Sequence, residues 1–174
     1  MREDARVRPI IPCGESHSLR SADKLLGMSN RLDEKALINL TEQYVALWNE
    51  ADPQARRKRI AELWAAGGTQ VLTDPPQEIR DAAAALNFPV PYLEVRGHDA
   101  LDARVTRAYE MFIAPGEYVF QARGHATRLA ENLVGLGWAM VATADGSEGG
   151  AGYDVLVLDE DGRIRSDHQY IGPA

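Results

Sequence analysis

The hydrophobic period of this chain changes once, near Pro115-Gly116, and that change does most to fix its fold class. Before it, apolar residues recur every three to four positions, the spacing of a buried helix face. After it they alternate, the spacing of half-buried strands. In the first helix Leu37, Leu40, Tyr44 and Leu47 form the apolar face, widened by Ile38, Val45 and Trp48, and Ser29 or Asn30 stands where a cap is expected. Asp52 is placed to cap a second helix with Pro53 in its first turn, where the missing N–H costs nothing. Ile60, Leu63 and Trp64 mark its buried side, Arg56, Arg57, Lys58 and Arg59 its solvated one, and Gly67-Gly68 its end. A short strand at 69–73 then delivers Asp74. Pro75-Pro76, Pro89 and Pro91 bracket a short helix predicted over Glu78–Leu86. A third main helix is predicted from His98 to Phe112, with Leu101, Val105, Ala108 and Phe112 in one stripe.

Four strands are predicted downstream: Tyr118–Arg128, Leu133–Thr143, Gly152–Leu158 and Ile164–Ile171. Turns near 130–132, at Asp145-Gly146-Ser147 and at Asp159-Glu160-Asp161-Gly162 join them as hairpins. Helices first and strands afterwards imply an α+β fold, with the helices on one face of a mainly antiparallel sheet. Gly135 and Gly137 within a strand predict a bend or bulge that lets the sheet curl.

The 174 residues suit one domain, enough to bury roughly two-thirds of the unfolded surface. We read 1–28 as a flexible tail with few apolar anchors, Met28 being a conceivable natural start, and 29–174 as a single domain. A net charge of -7 argues against a nucleic-acid partner, which needs a basic stripe. No apolar run approaches the roughly 20 residues of a membrane span. With one cysteine, Cys13, there is neither an internal disulfide nor a multi-cysteine zinc site. A cytoplasmic protein is the expectation.

Read in order, YVALWNEAD at 44–52, AELWA at 61–65, TDP at 73–75, RGHDAL at 96–101 and YDVLVLDEDGRI at 153–164 make the chain recognisable. Over about residues 32–172 it resembles the nuclear transport factor 2-like superfamily, and within it the SnoaL-like polyketide cyclase and ketosteroid isomerase branch. The resemblance implies a cone of three helices on a strongly curved sheet around an apolar pocket, commonly dimeric through the sheet. It also implies a site. In ketosteroid isomerases a first-helix tyrosine and a protonated late-strand aspartate donate to the enolate oxygen, while an aspartate after the second helix shuttles the proton. By motif position these match Tyr44, Asp154 and Asp74. Trp48, Trp64, Phe112 and Trp138 are the expected pocket walls. The stretch from Pro75 to Arg96 departs from the compact ketosteroid isomerase pattern, as an inserted helix beside the pocket mouth.

The residues themselves leave alternatives open. Tyr44 is either a pocket donor or a core tyrosine bonded to backbone. Asp74, before Pro75-Pro76, is either a base or a turn former. Period two puts either Asp154 or the set Tyr153, Val155 and Val157 inward. The same rule lets only one of the pairs Asp167/Gln169 and His168/Tyr170 face a pocket. His98 fits a helix cap, and His125 either a solvated or partner-facing strand position or a general base. No metal-ligand spacing, Walker loop, GxGxxG or GxSxG is present, so chemistry without metal or cofactor is expected. Two functions follow: a cofactor-independent isomerase, cyclase or dehydratase acting on a small apolar carbonyl compound, or a non-catalytic module of the same fold for ligand binding or dimerisation. Leu133 to Ala144 is apolar on nearly both faces, so a homodimer through the sheet is expected.

Overall fold

The computed structural model describes residues 32–73, 77, 81 and 93–172. The expected tail at 1–28, Asp74 and nearly all of the expected helix at 78–86 lie outside the described residues.

Helix α1 spans Glu34–Asn49 and buries Leu40, Tyr44, Leu47 and Trp48. Its cap is Asp33, whose carboxylate accepts from the Ala36 N–H at 2.8 Å, and not Ser29 or Asn30. Helix α2 spans Pro53–Leu63, with Asp52 accepting from the N–H groups of Gln54 and Ala55 as expected. It ends four residues before the Gly-Gly pair. Strand β1, Trp64–Thr73, starts at once and runs through Gly67-Gly68. Of the two, Gly68 serves a close approach instead of a helix stop. A Cβ on Gly68 would stand 3.0 Å from the Trp64 ring and from the carbonyls of Ala65 and Ile164. One of the four cations expected in solvent is also misplaced. Arg56 is buried, donating to the Glu50 carbonyl at 2.7 Å with its guanidinium 5.1 Å from the Tyr109 ring centroid. A long stem allows such burial when the head finds partners.

Strand β2, Leu93–Arg96, was not evident from the sequence, because four residues between prolines and a glycine carry little periodicity. Helix α3 spans His98–Ala108, and a single π-turn, Tyr109–Ile113, replaces its expected last turn. The wider turn takes Phe112 off the buried stripe, and the ring is half-exposed. The first predicted downstream strand is divided into β3, Tyr118–Ala122, and β4, Thr127–Arg128, by a bend at Gly124 (φ 82°). Then come β5, Leu133–Ala142, β6, Glu148–Leu158, and β7, Ile164–Gly172.

The sheet order is β2-β1-β7-β6-β5-β3, with β4 also pairing to β5. All pairs are antiparallel except β1 with β7. Register shifts at Trp64/Thr69, Met140/Val141 and Val157/Leu158 help the sheet to curl. Three helices thus pack on one mixed, mostly antiparallel curled sheet. Val134, Leu136, Leu156 and Ile164 are wholly excluded from solvent on its inner face. Each such side chain contributes about 1.5–3 kcal/mol. The fold is therefore secured by this face, and polar groups placed on it need partners of their own. Among the described residues no helix is long and apolar enough to cross a membrane.

Candidate ligand-binding site

Two of the inward positions on the sheet are carboxyls. Asp154 on β6 and Asp167 on β7 are both fully buried, because strand alternation sends Tyr153 and Tyr170 outward. Helix α1 brings Tyr44 down between them. Its hydroxyl lies 2.7 Å from Asp154 Oδ2 and 2.8 Å from Asp167 Oδ2. Gln70, directly opposite Asp167 on β1, donates its amide to the same Asp167 oxygen at 2.8 Å. A phenol has one proton to donate, so two such contacts require one carboxyl to bring a proton of its own.

The electrostatics identify that carboxyl. Burial, and then the Asp167 charge, hold the Asp154 acid well above the ordinary aspartate range. Burial raises Asp167 up to about 6, restrained by hydrogen bonds from Gln70 and Tyr44 and by the Arg104 charge. Burial and the two carboxyls also push the Tyr44 phenol well up, so it keeps its proton. At neutral pH the chain reads Asp154–OH to Tyr44–OH to the Asp167 carboxylate, closed by Gln70. The pair titrates as a unit.

A cavity of about 350 Å³ lies beside this chain, between α1, α3, the π-turn and the inner faces of β3, β5, β6 and β7. Trp48, Phe112, Tyr118, Phe120 and Trp138 supply aromatic walls. Phe120 and Trp138 have ring centroids 5.1 Å apart, and Trp48 and Phe120 are 5.8 Å apart. Gly152, opposite Trp138 on β6, leaves room for the indole: a Cβ there would collide with the ring and with the Tyr170 carbonyl. Among the described residues the cavity has one charged lining group, Arg104 of α3. The Arg104 guanidinium lies 5.3 Å from the Trp48 ring centroid and donates to Gln169 Oε1 at 3.2 Å. Burial lowers its pKa, which for arginine still leaves it charged. Two other hollows, of about 450 and 520 Å³, open on the surface, one between α1, α2 and the β6–β7 turn, the other on the outer face of the sheet. Neither reaches the buried carboxyls.

The structure thus brings Tyr44 and Asp154 together, but behind the cavity, since neither lines it. Trp48, Phe112 and Trp138 do line it. Trp64 does not: it packs in the core at the start of β1, where its carbonyl is 3.1 Å from His98 Nε2. The α2-to-β1 junction turns its indole into the helix–sheet layer. His125 lines the outer hollow. Asp167, Gln70 and Arg104 were not singled out from sequence. Alternation left the Asp167/Gln169 pair as one of two options, and Arg104 falls within the Leu101, Val105, Ala108 stripe at helical spacing, which was its only signal. Among the described residues no group of three or more His, Cys, Asp or Glu side chains is arranged to hold a metal ion.

No family model matches the chain, and no curated protein matches it. Solved structures do. A candidate isomerase of the SnoaL-like family from Agrobacterium tumefaciens superposes with a TM-score of 0.59 at 22% identity, over 78% of this chain and 97% of that one. A nuclear transport factor 2-like protein with a cystatin-like fold from Novosphingobium aromaticivorans gives 0.51 at 16%, over 91% and 92%. A nuclear transport factor 2-like protein of unknown function from an Exiguobacterium species gives 0.50 at 19%, over 78% and 98%. The fold is therefore one that the chain shares with SnoaL-like and nuclear transport factor 2-like proteins. At these identities the likeness is one of fold.

Proposed function

We propose that the protein binds a small molecule with an apolar ring body in the cavity between Trp48 and Trp138. The observation that carries this reading is an inner cavity of about 350 Å³ walled by five aromatic rings, with the carboxyl chain sealed behind it. Its size falls at the lower end of ligand sites, about 300–1,000 Å³, which suits a compound of one or two rings. Titration with 2-methylnaphthalene, followed by the fluorescence of the two lining tryptophans, tests the reading. Saturable binding is expected for the wild type, with loss in Ala108→Phe, which fills the cavity from α3. Equal behaviour of the two proteins refutes it.

A second reading, a cofactor-independent isomerase, cyclase or dehydratase acting on a carbonyl compound, has its own support. Arg104 and Gln169 form the polar end of the cavity, and Gln169 also favours the charged form of Asp154, so it touches the proton-sharing chain. In this reading a base, for which the sequence offers Asp74, removes a proton alpha to the carbonyl. The enolate oxygen is stabilised by the Arg104 guanidinium, and the base returns the proton at another carbon. The likeness to a candidate isomerase lends it weight at the level of fold only. Turnover of an enolisable aryl ketone, lost in Asp74→Asn with binding kept, would favour this reading over binding alone.

A further inference from the structure

Among the described residues Arg104 presents a charge without a direct counter-ion. Its guanidinium carries five N–H donors, yet one hydrogen bond, to the neutral Gln169, is all it makes among the described residues. No carboxylate there lies within ion-pair distance of it. The two nearest acids in electrostatic terms, Asp154 and Asp167, are committed to Tyr44 and Gln70. A cation in an apolar cavity is costly unless an anion meets it. The guanidinium lies over the Trp48 ring, and a planar carboxylate is the group that such a fork matches with two parallel hydrogen bonds.

We propose that the ligand of this cavity is an aromatic monocarboxylate, its ring held between Trp48, Phe120 and Trp138 and its carboxylate on Arg104. The proposal rests on the small-molecule reading above and narrows it to a ligand class. The rest of the lining argues against larger charge. With no second cation among the described lining residues, a phosphate dianion finds one partner for two charges, and desolvating the other is unfavourable. A neutral ester or ketone uses the ring walls equally well but gives the guanidinium fork no hydrogen-bonded anion, Asp167 acting on it only through charge. A ligand amine meets a like charge. Arg104 is accordingly the specificity-determining residue, and the aromatic walls supply affinity without discrimination.

The test compares 2-naphthoate, methyl 2-naphthoate and 2-naphthylmethylamine on the wild type, on Arg104→Met and on Arg104→Lys, by calorimetry at pH 7. The wild type is expected to bind the acid at least about tenfold more tightly than the ester, and the amine more weakly than either. Arg104→Met, similar in length and apolar, is expected to keep ester binding while the preference for the acid falls to about twofold or less. Arg104→Lys keeps the charge but loses the fork, so an intermediate preference is expected. Equal binding of acid and ester by the wild type overturns the ligand class and leaves the apolar cavity standing, and so does a preference that survives in Arg104→Met. If neither acid nor ester binds the wild type, the cavity reading fails and this proposal with it. Ester binding by Arg104→Met reports that the variant is folded. If it is lost, Arg104→Lys decides, and a preference there equal to the wild type's refutes the role of the fork.

Discussion

The buried carboxyl pair should make this protein less stable as pH rises through the mildly acidic range, and Asp167 allows the effect to be sized. Unfolded, its carboxyl ionises near 3.8; folded, burial raises it to about 6. Between those values the folded state holds a proton that the unfolded state has released. The unfolding free energy therefore falls with pH there, by about 1.36 kcal/mol per unit for each such proton. From pH 4.5 to 6 this amounts to about 1.5 kcal/mol from Asp167, because the folded carboxyl is already half ionised at the upper end. Asp154, raised by burial and then by the Asp167 charge, adds a slope of the same sign. Glu50 acts oppositely, since its hydrogen bond from Arg59 lowers its pKa and its contribution is lost only below about pH 4.5, outside the window. The assay is urea unfolding of the wild type and Asp167→Asn at half-unit pH steps and constant ionic strength. An asparagine oxygen still accepts from Tyr44 and Gln70 but does not titrate. The stability of the wild type relative to the variant should fall by about 1.5 kcal/mol across the window. Parallel curves, or a relative stability that rises with pH, would refute the argument that burial dominates at Asp167.

Two further outcomes are expected. Tyr44→Phe removes a hydroxyl bonded to two carboxyls in a dry core, so a loss of about 2–4 kcal/mol is expected at pH 7. The loss should be smaller at pH 5, where the folded Asp167 is protonated too; a loss below about 0.5 kcal/mol at both pH values would show that water reaches the site. We also propose a homodimer through the outer face of the sheet, where Tyr153 and Tyr170 pair across β6 and β7 at 42% and 44% exposure. Light scattering at micromolar concentration should give twice the 19.1 kDa chain mass, and a monomeric mass for Tyr153→Lys/Tyr170→Lys; a wild-type monomer refutes it.

Local chemistry was legible wherever it sufficed to decide the structure. Asp52-Pro53 caps and opens α2 because a short carboxylate and a pre-set φ need no distant partner. The Asp159–Gly162 turn forms through Asp159 accepting from the N–H groups of Asp161 and Arg163, with Gly162 at φ 82°. Such motifs, and the single change of period, were enough to identify an α+β fold of the SnoaL-like type. Gly67-Gly68 misled because glycine permits both a helix stop and a close approach, and only the neighbouring Trp64 ring and Ile164 carbonyl distinguish them. Trp64 misled for a related reason, since an apolar ring suits a core and a pocket equally.

The candidate site divides along the same line. The sequence by itself determined that Tyr44 lies on a buried helix face and that Asp154 and Asp167 lie on strands. It could not say which way either strand faces, because alternation fixes the spacing of two sets and not which set is inside. The tertiary structure decided that. Packing the curled sheet against α1 sends Tyr153 and Tyr170 outward, and three polar groups more than a hundred residues apart in the chain, or nearly neighbours on adjacent strands, become one proton-sharing chain. It also set Arg104 against Trp48 at the edge of an aromatic cavity, a placement that depends on where α3 lies across the sheet. Hydrogen-bond partnership and desolvation are properties of the assembled core, so the pKa of each carboxyl, and the ligand charge that the cavity accepts, follow only from the assembled fold.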